Sequence, residues 1–470
     1  MGSLHVIRRS LEGEHVGEMA PGRFLAVASK TPVSMRMKAL RDRPPGAAPL
    51  RPLHRDSTML SPEIHNGQAG TRGSGMRIAL NAVAVEGGGG ETYLLNIVKG
   101  LCALRAPHEL LVILSPRHRP ILASLPASVR TIVCDDVPAR AGLRMLWEQI
   151  VLPVRLRHWE VDLLFAAYNT GVLCCPAPVV LVAHNSNPYS RLPIPWSVYG
   201  RSRHVLLRLL GRLSARTAQR VVFVSHTSAR IMAPRMGVAP SHVRVVHYGW
   251  SPPDEADLRE NPQGLDLPER YVLTVADLQP HKNVETLLRA FDRLGAADGY
   301  PGHLVIAGGR KDMSSGYARR LFDILRSLPC RERVHFVGSI PHPSLDRAYQ
   351  RAELFVFPSL EETFGLPLLE AMGAGVPAVV SDWRRAPGGE KDRFNVGPEV
   401  CGEAAEFFDP TSATALADAM ARVLHDLARR TELAEMGIAR ARQFSWEHAA
   451  REMLAIFEEV MTAARENGRS

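Results

Sequence analysis

The sequence predicts an α/β protein in which two Rossmann-like, doubly wound domains follow one another and face a central cleft. Three observations carry that reading. From residue 76 onward, short β-branched runs alternate with helical apolar patterns, the signature of parallel βαβ units. The rhythm breaks at Gly249-Trp-Ser-Pro-Pro-Asp254, the break is prolonged through Asn261–Pro268, and the alternation then resumes. A chain of 470 residues is too long for one ordinary domain and suits two with a tail.

Residues 1–75 are rich in Arg, Pro and Gly, as in Arg41-Asp-Arg-Pro-Pro-Gly46, and keep no period of 2 or 3.6. They are expected to be a disordered basic extension, and the abrupt onset of pattern makes Met76 a candidate true start. The first domain is expected over 76–250. Its strands begin with Met76–Leu80 and continue through Leu110–Leu114, Arg130–Val133, Asp162–Phe165, Val179–Ala183, Arg220–Ser225 and Val243–His247. The second, over 251–443, has strands Tyr271–Ala276, Leu304–Ala307, Val334–Val337, Leu354–Phe357 and Ala378–Ser381. Residues 444–470 read as a closing helix that crosses back to the first domain, with Ser445 as N-cap. Doubly wound domains bind ligands beyond the carboxyl ends of their strands, so the site is expected in the crevice between the two.

Composition narrows the function classes. Apolar residues at 46% and charged residues at 22% suit a globular chain. The longest apolar runs, such as Val179–Ala183, are strand-length, too short for a bilayer. No secretory signal pattern is evident. The six cysteines show no CxxC or Cys/His spacing, which points to free thiols in a reducing cytoplasm; the Cys174–Cys175 pair reads as packing. The net charge of +9 favours an anionic partner, either a nucleotide or a phospholipid surface. Nucleic acid is disfavoured, because aromatics reach only 6% and no binding module accompanies the basic stretches.

Four constellations carry chemistry. Glu86-Gly-Gly-Gly-Gly-Glu91 joins a strand to a helix, where Gly88, Gly89 and Gly90 allow close backbone approach and the helix start attracts an anion. A dinucleotide fingerprint fails on register, since Thr92 and Tyr93 stand where a third glycine is needed. Gln279-Pro-His-Lys-Asn283 follows the first strand of the second domain. There Asn283 is the expected N-cap, and Lys282 is suited to a diphosphate at a helix start. In Pro358-Ser-Leu-Glu-Glu-Thr-Phe-Gly-Leu-Pro-Leu-Leu-Glu-Ala-Met372, Pro367 opens a helix and Glu362 and Glu370 bracket the turn. Carboxylates there suit a hydroxyl-rich ligand, each accepting two strong hydrogen bonds. Finally, His184 ends a first-domain strand, placed to hydrogen-bond a sugar or receive a proton. Taken singly, the glycines could be a tight turn, the lysine a solvated cation, the glutamates dipole partners and the histidine structural.

Together these strings resemble glycosyltransferase family 4, over roughly residues 76–460. The strongest likeness is the Glu-x7-Glu signature, Glu362 to Glu370 within ETFGLPLLEAM. RAELFVFPSL, GAGVPAVVSD and CGEAAEFFDP support it, while WEQIVLP and VVFVSHTSA look like the mannosyl- and rhamnosyl-transferase branch. The resemblance implies a GT-B fold and retaining transfer of a hexose from a nucleotide-diphosphate sugar, GDP-mannose favoured, to a polysaccharide or lipid-linked glycan. It implies that Glu370 holds the ribose hydroxyls and Glu362 the transferred sugar, while Thr363, Phe364, Gly365 and Leu366 meet sugar and phosphate through their amides. Lys282 would meet the diphosphate, Gly338, Ser339 and Ile340 the base, and His184 with Gly88–Gly90 would complete the site. No cofactor or metal is implied, because lysine and helix-terminal amides take the cation's part, and no strand-end DxD appears. In one departure, the arginine that often precedes the family's lysine is missing: Ala276, Asp277 and His281 stand there, and Arg310 is the candidate substitute.

One further pattern stands apart. Arg208, Arg212, Arg216 and Arg220 recur every four residues among leucines, as expected either of a helix packed on the sheet or of one lying on an anionic leaflet. The latter would make the protein peripheral on the inner face of the cell membrane. The enzymatic rival is a GT-B sugar-nucleotide epimerase, separated by whether sugar is transferred. The non-enzymatic rival is a degenerate partner-binding member, which the missing arginine favours and the intact Glu362, Glu370 and Lys282 oppose.

Overall fold

The computed structural model describes residues 63–65, 75–85, 87–192, 198–253, 266–308, 316–389 and 392–467. The basic extension, apart from Glu63–His65 and Gly75, lies outside the described residues, as do Glu86 and Arg310.

The first sheet contains β1 (Glu63–His65), β2 (Arg77–Asn81), β3 (Glu109–Leu114), β4 (Arg130–Val133), β5 (Leu163–Ala166), β6 (Val179–Ala183), β7 (Arg220–Phe223) and β8 (Val243–Val245). Its spatial order is β1-β4-β3-β2-β5-β6-β7-β8. All neighbours pair parallel except β1, which runs antiparallel to β4. That edge strand lies within the stretch expected to lack structure, an expectation corrected at these three residues: Glu63–His65 gain a ladder from an open sheet edge that local sequence does not reveal. The intervening helices are α1 (Gly89–Ala103), α2 (Ala141–His158), α3 (Val198–Thr217) and α4 (His226–Met236).

The second sheet contains β9 (Tyr271–Val275), β10 (His303–Ala307), β11 (Val334–Gly338), β12 (Leu354–Phe357), β13 (Ala378–Ser381) and β14 (Glu406–Phe408), in the order β11-β10-β9-β12-β13-β14 and parallel throughout. Its helices are α5 (Val284–Ala297), α6 (Gly316–Ser327), α7 (His342–Arg351), α8 (Leu366–Gly373), α9 (Gly397–Cys401), α10 (Ala413–His425) and α11 (Leu427–Ala441). The closing helix α12 (Trp446–Asn467) starts where Ser445 Oγ accepts from the His448 amide at 3.0 Å.

Each sheet reverses its winding once, between β2 and β5 in the first and between β9 and β12 in the second. Such switch points open a crevice at the strands' carboxyl ends. The strands β2–β7, β9, β10, β12 and β13 are buried on both faces, which explains their near-continuous apolar runs, whereas the edge strands β8, β11 and β14 are largely half-buried. One core packs a face of the first sheet with Leu94, Ile97 and Phe457 and continues into the second domain through Phe364, Leu366 and Leu369. The chain crosses between the sheets twice, and the crossings touch: the Trp250 amide donates to Phe444 O at 2.9 Å. The helix α12 then lies against α1 on the first sheet. Its close approach needs Gly100, since a Cβ there would stand 2.9 Å from Trp446 O. Among the described residues, no helix is long and apolar enough to cross a membrane.

Candidate functional site at the seam of the two domains

Lys282 and Glu362 come from the loops after β9 and β12, the two strands flanking the second switch point. The loops are joined at the backbone, with the Leu360 amide donating to His281 O at 2.7 Å. Lys282 Nζ forms an ion pair with Glu362 Oε1, and Ser359 Oγ donates to the same oxygen at 3.2 Å. Both side chains are largely buried, 18% and 15% exposed, so the pair is screened little by solvent. Asn283 occupies the helix-start position expected of it but does not cap through its side chain. With φ at 57°, it instead donates to Pro358 O and Pro410 O, at 3.1 and 2.9 Å. It is a clamp holding the lysine loop against the glutamate loop.

Gly365 sits at φ 92° and starts α8, whose first turn leaves amides without intrahelical partners. Glu370 lies within α8, where Tyr349 donates to its Oε2 at 3.0 Å. Phe364 is fully buried, so its role toward any ligand is confined to its backbone. Gly88, at φ 75°, begins α1, and a Cβ built on Gly89 would lie 3.7 Å from Leu366 Cδ1. The glycine loop of the first domain therefore faces the Glu362–Glu370 turn of the second. Gly338, Ser339 and Ile340 lie at the carboxyl end of β11, where Gly338 O accepts from the Gly308 amide at 2.7 Å.

His184 follows β6, and its Nδ1 shares a hydrogen bond with the Tyr248 hydroxyl. Its ring meets Tyr93 edge-on at 4.5 Å, and Tyr248 meets Phe364 at 4.9 Å. This aromatic cluster bridges the two domains. Burial pushes the His184 imidazole down to about 3, so it stays neutral. Of the two roles read from the sequence, that favours hydrogen bonding through Nε2, which is buried without a partner among the described residues. His281, beside the lysine, is pushed to about 4 by burial and then by the Lys282 charge, and so cannot supply the missing cation.

These two histidines make folding acid-sensitive. The unfolded imidazoles titrate near 6.5, above the folded values, so the unfolded chain takes up protons first. Their contribution is fully present above pH ~6.5 and is lost as pH falls toward the folded values, on the order of 3 kcal/mol each by pH ~4. The melting temperature should fall steeply over that window, and His184→Asn should flatten the fall. An unchanged slope in the variant would count against the assignment.

Three features of the seam were not legible in the sequence. Glu399 of α9 accepts from the backbone amides of His226 and Thr227, at 2.6 and 2.8 Å, and pairs with His247 Nε2 at 3.0 Å. Burial pushes its carboxyl upward, but the hydrogen bonds from His247 and Thr227 outweigh it and take it down to about 2. Ser225 Oγ also crosses, donating to Thr363 O at 2.6 Å. Arg191 of the first domain also pairs with Asp392 of the second at 2.6 Å. His226, His247 and Glu399 are also the one group of three among the described residues able to hold a metal ion, their ligand atoms lying within 4.8 Å of one another. The Glu399 carboxylate is already engaged by two amides and an imidazole.

Two doubly wound domains facing each other, with a lysine and two carboxylates at one switch point and a glycine-started helix opposite, define a GT-B fold. Residues 87–252 match the family described as Glycosyltransferase Family 4, and residues 257–443 match Glycosyl transferases group 1. The chain belongs to this family of glycosyltransferases. It is 31% identical over 189 residues to O-antigen chain mannosyltransferase B of Escherichia coli, covering 40% of this chain and 45% of that protein. It is likewise 31% identical over 261 residues to the D-inositol 3-phosphate glycosyltransferase of Salinispora tropica, covering 53% and 52%. The chain thus spans about half the length of these curated relatives. In fold it is similar to sucrose-phosphate synthase from Thermosynechococcus elongatus, with a TM-score of 0.65, 23% identity, and 83% and 100% of the two chains covered. It is also similar to Anabaena HepE in complex with UDP and glucose, with a TM-score of 0.61, 20% identity, and 82% and 99% covered.

Proposed function

We propose that the protein is a retaining hexosyltransferase that moves a sugar, mannose favoured, from a nucleotide-diphosphate donor to a polysaccharide or lipid-linked glycan. The observation that carries this is the buried Lys282–Glu362 pair at the switch point, facing the glycine loop across the seam. A donor diphosphate entering there exchanges one anionic partner of Lys282 for another, so the ammonium stays neutralised throughout. As the bond between the anomeric carbon and the phosphate oxygen breaks, Lys282 and the α8 amides stabilise the charge developing on the leaving diphosphate. The acceptor oxygen attacks from the same face, and its proton passes to a phosphate oxygen. Glu362, released from the lysine, accepts hydroxyls of the transferred sugar, and Glu370 those of the ribose. Neutral His184 donates a hydrogen bond from the first-domain side. The lysine and amides serve in place of a divalent cation, and no resident cofactor takes part.

Similarity to mannosyltransferases of O-antigen chains supports mannose, with GDP-mannose as the favoured donor, and a glycan acceptor. A nucleotide-sugar donor is consistent with a reaction in the cytoplasm. Thermal-shift titration with a panel of nucleotide sugars tests the reading, since only a bound ligand stabilises the fold. GDP-mannose should raise the melting temperature, and Glu370→Gln should weaken that affinity by roughly 10–100-fold through loss of charged hydrogen bonds. A panel in which no nucleotide sugar shifts the transition would reject the assignment.

A further inference from the structure

Eight large hydrophobic side chains are exposed among the described residues, and seven of them lie on two helices of the first domain. On α2 these are Leu143, Leu146, Ile150 and Val154, from 51% to 69% exposed. Their spacing of three, four and four places them in one line along the helix. On α3 they are Val205, Leu206 and Leu209, at 63%, 46% and 54%. Both helices cover the same face of the first sheet, where Trp147, Leu152 and Leu156 of α2 share a core with Ala215 of α3. They are neighbours there, since Gly171 accepts from Gln149 of α2 and donates to Ser214 of α3, at 3.0 and 2.9 Å. Each helix therefore presents an aliphatic side to solvent, and both do so over the same face of the sheet.

The exposed charge on these two helices has one sign, and the exposed carboxylate beside them, Asp136, is paired with Arg155 of α2 at 2.9 Å. The helix α3 contains neither Asp nor Glu, and the single acid of α2, Glu148, is buried and receives a hydrogen bond from Asn81 at 2.9 Å. Arg140 and Arg157 at the ends of α2 are exposed, as are Arg203, Arg212 and Arg216 of α3. Exposed aliphatics on a soluble surface are ordinarily scattered, so a clustered stripe marks an interaction face. The pairing of aliphatic stripes with arginines, and no exposed acid on either helix, matches an interfacial helix on anionic lipid, each cation adding attraction to the headgroups.

We propose that α2 and α3 together form a docking surface for an anionic lipid bilayer, with the aliphatic side chains entering the boundary of the acyl chains and the arginines meeting phosphate headgroups. The expected basic helix supplies only half of this surface, and it ends at Thr217, so that Arg220 belongs to β7 and pairs with Glu459 instead; the larger aliphatic stripe is on α2. The position of the surface adds a consequence. Asn81 ends β2 at the first switch point, and its bond to Glu148 sets the middle of α2 level with that carboxyl edge. Leu146 and Ile150 flank Glu148, so the bilayer would meet the protein beside the rim of the cleft, where a lipid-borne acceptor could enter without leaving the membrane.

Flotation of the full chain with vesicles tests this, using phosphatidylcholine alone and phosphatidylcholine mixed with phosphatidylglycerol at low and high salt. The chain should float with the anionic vesicles, weakly at high salt and scarcely with the neutral ones. Arg203→Gln with Arg216→Gln should weaken partition by roughly thirtyfold, two cations' worth. Ile150→Asp with Val154→Asp should weaken it about tenfold or more while leaving the melting temperature and its response to nucleotide sugars unchanged. Equal flotation with neutral vesicles, or none with anionic ones at low salt, would overturn the proposal. So would light scattering that shows a dimer dissolved by the Ile150 and Val154 substitutions, since the stripe would then cover a second copy of the chain. None of these readouts depends on sugar transfer, so failure of the surface and failure of the catalytic reading are separable.

Discussion

Sugar transfer falls roughly 100- to 1,000-fold in Lys282→Ala, with the fold retained: that is the expected result at the seam. A single preorganised donor aimed at developing charge is worth about that much when water is excluded. The side chain of Lys282 is 18% exposed and its loop is fixed by Asn283 and by the Leu360–His281 bond, so little reorganisation is needed when the diphosphate leaves. Glu362→Ala should lose transfer to a similar degree but for a different reason, since it removes the sugar's acceptor and leaves Lys282 without its resting partner. The two variants separate kinetically. Lys282→Ala should act mainly on kcat, whereas Glu362→Ala should also raise the donor KM. Transfer at near the parental rate in either variant would remove the pair from the mechanism.

The second large effect concerns Glu399, which lies in the second domain but caps a helix of the first. Its carboxylate satisfies two amides at the start of α4 and pairs with His247. Glu399→Ala should cost about 3 kcal/mol, because charge-assisted bonds to two amides and an imidazole are lost together and the helix start is left unsatisfied. Glu399→Gln keeps an acceptor and should cost less. Urea unfolding gives the magnitudes, and X-ray scattering should show a larger radius of gyration for the alanine variant as the domains part. Equal stability and an unchanged radius would show that the contact does not hold the domains together.

The pattern of the chain foretold most strands to within two residues because most are buried on both faces, and a short β-branched run bounded by turns is the direct record of that burial. Leu354–Phe357 and Val179–Ala183 read this way without ambiguity. The strand Glu63–His65 was not visible, since three residues without apolar alternation gain their order from an edge elsewhere in the chain. The strand Glu406–Phe408 likewise shows in the sequence only as part of the family-like string CGEAAEFFDP. In the site, Glu362, Glu370 and Lys282 stood out because their residue types and spacing suit a diphosphate sugar. Local sequence makes Asn283 an ordinary cap. Its actual role depends on Pro358 and Pro410, 75 and 127 residues away.

By itself, then, the sequence determined the class of fold, the family and the residue types that suit phosphate and sugar, because periodicity, turn chemistry and short motifs are local properties. Only the tertiary structure decided how the two domains meet. The Lys282–Glu362 ion pair, the Glu399 cap on α4 and the bridge from Tyr93 and His184 through Tyr248 to Phe364 each join groups distant in the chain. The joint outward face of α2 and α3 belongs with them: periodicity predicts an amphipathic helix, but which side is covered depends on what packs against it.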